Sequence, residues 1–121
     1  MSYFSKDEIA CNCGCGANNI SDEYMSMLTD ARIIAGIPFS MSSMCRCPAR
    51  NAAEGGKETS SHISTEDIEC KAGDISYEGS RQRSIIVTAL IEAGFTRIGI
   101  GEDFIHADND KTKSQDVMWL Y

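Results

Sequence analysis

The sequence has no long apolar run and few basic residues. No segment approaches the roughly 18 apolar residues that a membrane-spanning helix needs, and the start, MSYFSKDEIACNCGCG, lacks the basic and then apolar pattern of a signal peptide. Only 11 of the 121 residues are Lys or Arg, and the formal net charge is −7. A nucleic-acid partner requires clustered basic residues that neutralise phosphates. We therefore expect a chain made in the cytoplasm, with no nucleic-acid partner and no membrane span.

The chain also lacks internal repeats, low-complexity tracts and linkers. With 121 residues and 42% hydrophobic content, it is long enough for one modest core and too short for two. We expect a single domain over residues 1–121 that acts as a monomer.

Cysteine, in contrast, is abundant and unevenly placed. The six cysteines fall in CNCGCG, in CRC and alone, at Cys11, Cys13, Cys15, Cys45, Cys47 and Cys70. Three interpretations stay open: a structural metal bound by thiolates, a disulfide between the two clusters, and reduced thiols that pack as small apolar groups. The C-x-C spacing differs from the C-x2-C of most zinc knuckles, and the absent signal peptide weakens the disulfide interpretation.

Hydrophobic periodicity predicts two main helices. The first follows the capping residue Ser21 in SDEYMSMLTDARIIAG and ends at Gly36. The second spans about residues 80–93 and ends at Gly94. Their apolar faces contain Tyr24, Leu28, Ala31 and Ile34 in the first helix, and Ile85, Ile86, Ala89, Leu90 and Ala93 in the second.

Short strands are predicted around these helices. They lie at residues 97–100, 104–107 and 117–121, with a strand or extended segment at residues 37–42 and a polar loop at residues 51–61. Helices followed by clustered short strands indicate an α+β domain with a small antiparallel sheet flanked by the two helices.

Histidine is scarce, and both histidines lie near carboxylates. His62 is in SSHISTEDIECKAGDI and His106 is in GEDFIHADND. One histidine beside an acid is more often a surface ion pair or a satisfied core group, but two such places favour a metal centre. A catalytic zinc ion binds neutral imidazoles and a carboxylate and keeps a fourth position open. His62, an acid downstream of it and His106 form such a set.

These motifs resemble the M15 family of zinc peptidases, which includes D-alanyl-D-alanine carboxypeptidases and phage endolysins. The resemblance rests on S-x-H, A-x-D-I and D-x-x-H-x-D, and YFSKDEIACNCGCG, SSMCRCPARNAAEGG and the closing tryptophan are similar to a phage-associated branch. It implies a hedgehog/DD-peptidase-like fold whose sheet carries one catalytic Zn²⁺. It also implies hydrolysis of peptidoglycan stem peptides, at D-Ala-D-Ala or L-Ala-D-Glu, by a phage-encoded enzyme that reaches the bacterial cell wall after release or within a virion.

Carried over by position, the resemblance implies roles for individual residues. The zinc ligands are His62, Asp74 and His106, and Asp103 is the general base. Arg46 faces the substrate carbonyl as a catalytic and substrate-binding residue, and Ser60 helps to hold the polar end of the substrate. Trp119 matches an aromatic near the cleft. Two interpretations of Asp108 stay open apart from the resemblance: it orients His106 or its neighbours from outside the ligand set, or it is a solvated loop acid.

The acidic ligand departs from the family spacing. In the family, six residues usually separate the first histidine from the acidic ligand, and this spacing would select Glu69. Here eleven residues separate His62 from Asp74. KAGDI reproduces the expected small and apolar neighbours of the acid, but STEDIEC around Glu69 reads as a solvated turn. We therefore predict that Asp74 is the ligand and that residues 65–69 form an exposed inserted loop.

Two other functions stay open. One is a non-catalytic zinc-binding interaction module on the same fold, which the carboxylate of Asp103 disfavours. The other makes the cysteines a thiolate metal or redox centre, with the histidines incidental.

Overall fold

The computed structural model describes residues 3–121. Within this part of the chain the helices are α1 (Lys6–Ile9), α2 (Asp22–Ala35), α3 (Pro48–Ala53) and α4 (Gly79–Glu92). The strands are β1 (Ser40–Ser43), β2 (Ala72–Ser76), β3 (Arg97–Ile100), β4 (Phe104–Asp108) and β5 (Val117–Leu120). The predicted α+β class with two main helices is confirmed.

The five strands form one sheet in the order β1-β2-β4-β3-β5. Three neighbouring pairs are antiparallel, as predicted: β1 with β2, β2 with β4, and β4 with β3. The last strand, β5, instead pairs parallel with β3 at the edge, so the sheet as a whole is mixed. The strands themselves lie close to their predicted positions, and the extended segment at residues 37–42 becomes β1 three residues later.

Helix α2 begins and ends where its sequence predicts. The Ser21 hydroxyl accepts a hydrogen bond from the backbone N–H of Tyr24 at 3.2 Å, and Gly36 ends the helix in the left-handed conformation, with φ of 69°. The predicted apolar face is wrong at Ile34, because this side chain is 45% exposed. It lies six residues after the buried Leu28, which rotates it about 120° around the helix, to the margin of the buried face.

The two main helices cover one face of the sheet. Helix α4 buries Ile86, Ala89 and Leu90 and packs against α2. Gly73 of β2 permits close approach, because a Cβ atom there would lie 2.6 Å from the Tyr24 hydroxyl. The same hydroxyl donates a hydrogen bond to the carbonyl oxygen of Ala107 at 3.0 Å. Gly73 and Ala107 thus face the helices, and the residues next to them along β2 and β4 face the opposite side of the sheet.

One predicted loop is partly helical. Residues 51–61 were expected to be irregular, but Asn51 to Ala53 complete α3, because Cys47 caps it and Pro48 occupies its first turn. The Asn51 side-chain amide then donates to the carbonyl oxygen of Lys57 at 2.7 Å and holds the following turn. Within residues 3–121, no helix has the length and apolar character needed to cross a lipid bilayer.

Candidate metal centre

The sheet and one loop bring His62, Asp74 and His106 together. Asp74 and His106 are directly paired across β2 and β4, which places their side chains side by side on the face away from the helices. His62 approaches from the loop before β2, which is anchored by the backbone N–H of Arg46 donating to the His62 carbonyl oxygen at 2.7 Å. One potential ligand atom from each of the three residues lies within 4.8 Å of the other two.

Hydrogen bonds on the side of each imidazole away from Asp74 determine which ring nitrogen carries a proton. His62 Nδ1 lies 2.6 Å from the carbonyl oxygen of Met44, which can only accept, so Nδ1 is the protonated nitrogen. His106 Nε2 lies 2.7 Å from the carboxylate oxygen Oδ2 of Asp108 and likewise donates. In the neutral histidines the lone pairs are therefore on His62 Nε2 and His106 Nδ1. These two atoms both face Asp74 Oδ1, at 3.2 and 3.0 Å.

Asp108 holds His106 from within a rigid network. Its side chain is 1% exposed, and its Oδ1 accepts hydrogen bonds from Arg97 Nε at 2.7 Å and from the backbone N–H of Asp110 at 3.1 Å. The Arg97 guanidinium in turn lies 5.0 Å from the ring centre of Trp119. The structure thus places Asp108 where it orients His106, and its burial excludes the alternative of a solvated loop acid.

Hydrogen bonds within the site shift the pKa values of Asp74 and His106 in opposite directions. Burial opposes ionisation of Asp74, but hydrogen bonds from His106 and His62 outweigh burial and lower the pKa of its carboxyl group. Burial also opposes protonation of His106, yet hydrogen bonds to Asp108 and Asp74 raise the pKa of its imidazole. The site therefore concentrates negative charge and attracts a cation, either a proton or a metal ion.

The donor set fits a zinc ion. Two imidazole lone pairs and one carboxylate oxygen face a common point with no hydrogen between them when both histidines are neutral. Ligand atoms at about 2.0–2.1 Å from a tetrahedral zinc ion lie about 3.3 Å apart, close to the observed 3.0 and 3.2 Å. Imidazole tautomers held by a carbonyl and a carboxylate are also the usual surroundings of zinc-binding histidines.

Arg46 and Ser60 both line a cleft of about 480 Å³ that contains the three residues. The Arg46 guanidinium donates to Asp74 Oδ2 at 3.4 Å and to the Ser43 hydroxyl at 3.1 Å, and 15% of its side chain stays exposed. The Ser60 hydroxyl accepts from the backbone N–H of His62 at 3.3 Å. Both residues therefore lie beside the proposed ligands, and part of the Arg46 side chain stays accessible from the cleft.

Asp103 does not line the cleft that contains the two histidines. It is exposed just before β4, and its backbone carbonyl accepts a hydrogen bond from Tyr77 at 3.1 Å. Its side chain lines an adjoining cavity of about 330 Å³ together with Arg46 and Asp74. In the described part of the chain, no hydrogen bond or ion pair restrains the Asp103 carboxylate. Its role as general base stays a prediction.

The family model described as Peptidase M15 matches residues 2–108. The chain belongs to the M15 peptidase family. The matched segment contains Arg46, Ser60, Asp103 and the three predicted ligands, and it ends at Asp108, before β5 and Trp119. No curated protein and no solved structure matches the chain. The family and the fold that the motifs suggest are confirmed by this match and by the α+β architecture.

Asp74, and not Glu69, reaches the histidines of this M15 peptidase. Glu69 is exposed at the end of a tight turn in which the backbone N–H groups of Asp67 and Ile68 donate to the Thr65 hydroxyl at 3.2 and 3.0 Å. Its backbone carbonyl accepts from Lys71 at 3.2 Å. Residues 66–69 are exposed, consistent with the predicted inserted loop.

The M15 cleft also contains residues that the sequence motifs did not indicate. Glu54 follows α3 and lines both the main cleft and the adjoining cavity, so it is a second carboxylate near Arg46. The Tyr121 ring centre lies 4.9 Å from that of Phe104, with the two rings tilted by 53°. Trp119, which the resemblance placed near the cleft, has its ring centre 5.6 Å from that of His106. Trp119 lies in β5 and Tyr121 directly follows it. No local pattern predicts how β5 pairs with the sheet.

Proposed function

We propose that this M15 peptidase is a zinc-dependent hydrolase of peptide bonds in peptidoglycan stem peptides. The observation that carries the proposal is the convergence of two imidazole lone pairs and a carboxylate beside Arg46 in one cleft. His62, Asp74 and His106 hold the ion. When bound, zinc polarises the scissile carbonyl and lowers the pKa of a water molecule to about 7 in favourable sites.

Two side chains perform the proton and charge chemistry. The Asp103 carboxylate, which no contact restrains, takes the proton of the attacking water and returns it to the leaving amine. The Arg46 guanidinium, held by Ser43 and Asp74, donates to the carbonyl oxygen as negative charge develops on it. Its position beside the cleft, with part of the side chain exposed, supports this role.

The cleft composition supports a short acidic peptide as the substrate. Lys57 and Lys113 line the cleft on the side of Ser60, and they suit a peptide carboxylate despite the net charge of −7 of the whole chain. Trp119 and Tyr121 add apolar surface to the same cleft. Both D-Ala-D-Ala and L-Ala-D-Glu bonds have a carboxylate within reach of such a site. We further propose a phage-encoded monomer, one domain over residues 1–121, that acts on the cell wall after release or within a virion.

Digestion of purified peptidoglycan tests the proposal. The zinc-loaded protein is incubated with sacculi, and mass analysis of the soluble fragments identifies the bond that is cut. Release of D-Ala indicates a carboxypeptidase, and new amino-terminal D-Glu indicates an endopeptidase. His106→Ala is the matched control, since it removes a ligand and should produce neither fragment.

A non-catalytic zinc-binding module is the second candidate. The observation in its favour is that Asp103 lines the adjoining cavity and not the cleft that His62 and His106 share. A protein that retains zinc and binds sacculi in a pull-down, but releases no fragment, would replace the enzyme with this module.

A further inference from the structure

Four of the six cysteines converge at a second place, which we call the cysteine knuckle: Cys11, Cys13, Cys15 and Cys47. The first three lie in the turn after α1, and the fourth caps α3. Their sulfur atoms all lie within 4.8 Å of one another. The cysteine knuckle shares no residue with the histidine site, so the proposed peptidase chemistry does not account for it.

The sulfur–sulfur distances match a tetrahedral metal site. Cys11 Sγ lies 3.4 Å from Cys13 Sγ and 3.8 Å from Cys47 Sγ, and the last two atoms are 3.7 Å apart. Four sulfurs bound at about 2.3 Å to one tetrahedral zinc ion are separated by about 3.8 Å. The knuckle therefore has the dimensions of a single-ion site.

The backbone of CNCGCG is folded so that its cysteines meet. In an extended strand, alternate residues share a face but spread along the chain. Here Gly14 and Gly16 adopt φ values of 85° and 84°, which glycine reaches without strain, and the chain turns back on itself. The backbone N–H of Cys11 closes the turn by donating to the carbonyl oxygen of Ala17 at 2.8 Å.

Backbone amides also point at the sulfur atoms. The N–H of Cys47 donates to Cys11 Sγ at 3.4 Å, and the N–H of Arg50 donates to Cys47 Sγ at 3.3 Å. Such donors stabilise negative charge on sulfur. The thiolate is the form that binds a metal ion, so these contacts favour the ligating state.

A disulfide explains the arrangement less well. It would shorten one sulfur–sulfur distance to about 2.05 Å and set no distance to the remaining sulfurs. In the structure all six cysteines are free thiols, and Cys11, Cys13 and Cys47 are nearly equidistant from one another. Equal separations are what a shared central ion requires.

We infer that the cysteine knuckle binds a second, structural zinc ion. Four thiolates leave no open coordination position for water, which makes the site structural and not catalytic. The ion ties the amino-terminal segment to the turn that carries Arg46, since Arg46 directly precedes Cys47 and the backbone N–H of Cys45 donates to the carbonyl oxygen of Ile9 at 3.0 Å. Loss of the ion should lower the melting temperature and loosen Arg46, while the histidine site still binds zinc.

Metal analysis of variants tests the second site. Protein purified with reductant and loaded with zinc should contain two ions per chain. Cys13→Ser should lose the ion of the cysteine knuckle and keep the ion of the histidine site. His62→Ala should lose the ion of the histidine site and keep the ion of the knuckle. Cys70→Ala is the matched control, because Cys70 is a buried cysteine outside the knuckle, and it should retain both ions.

Spectroscopy on the unmodified protein does not depend on whether a variant folds. X-ray absorption of the zinc-loaded protein should show sulfur at about 2.3 Å together with nitrogen or oxygen at about 2.0–2.2 Å. With cobalt(II), a thiolate charge-transfer band should appear and should survive His62→Ala. Any one of three results would overturn the inference. These are a single bound ion without sulfur ligands, retention of iron in place of zinc, and a disulfide among the four cysteines of the metal-loaded protein. The peptidase proposal is judged separately, by the histidine variants and the digestion products.

Discussion

Replacing Asp108 by asparagine should weaken zinc binding through the tautomer of His106. Oδ1 of Asp108 accepts from both Arg97 and the backbone N–H of Asp110, so the oxygen of the new amide should stay on that side. Its NH₂ group must then face His106 Nε2, which can accept only if the imidazole proton moves to Nδ1. That nitrogen faces Asp74 and is the one assigned to the metal.

The expected magnitude follows from comparable changes around metal-binding histidines. Loss of such a carboxylate costs about 10–100-fold in metal affinity, which corresponds to about 1.4–2.7 kcal/mol. Zinc affinity is measured by competition with a chromophoric chelator. Asp110→Asn is the matched control, because it makes the same charge change nearby at a carboxylate that contacts Thr112 and Ser61. An Asp108→Asn protein that is folded and binds zinc as tightly as the control would refute the tautomer argument.

The remaining predictions test the other roles. Asp103→Ala should keep zinc and lose roughly two to four orders of magnitude in turnover; near-normal turnover would transfer the base role elsewhere. Arg46→Lys should lower kcat by about 100-fold or more with little change in melting temperature, because lysine lacks the planar fork; unchanged kinetics would make the arginine structural. Asp74→Ala should abolish zinc binding at the histidine site and Glu69→Ala should not, as metal analysis would show. Because the pKa of His106 is raised in the folded state, its contribution to metal-free stability should be complete below its unfolded pKa and should disappear as the pH rises through the folded value; a flat urea-midpoint profile there would contradict this.

Local patterns were sufficient for the main elements. The α2 boundaries follow from Ser21 and Gly36, because capping and the left-handed conformation are properties of a few adjacent residues. Short helices are harder to predict, because neither α1 nor α3 is long enough to show periodicity. The exposure of Ile34 was missed because the helix sequence alone does not reveal how wide its buried face is.

The sequence by itself determined the donor types, the family and the choice of Asp74, since the motif around an acid is a local property. Only the tertiary structure decided which atoms face one another. Pairing of Asp74 with His106 depends on strand register, and the arrival of Trp119 depends on β5 joining the sheet edge in parallel. The cysteine knuckle likewise joins residues more than thirty positions apart, and the C-x-C spacing argued against it. Long-range contacts of this kind are formed by the packed chain as a whole, so no short segment of the sequence encodes them.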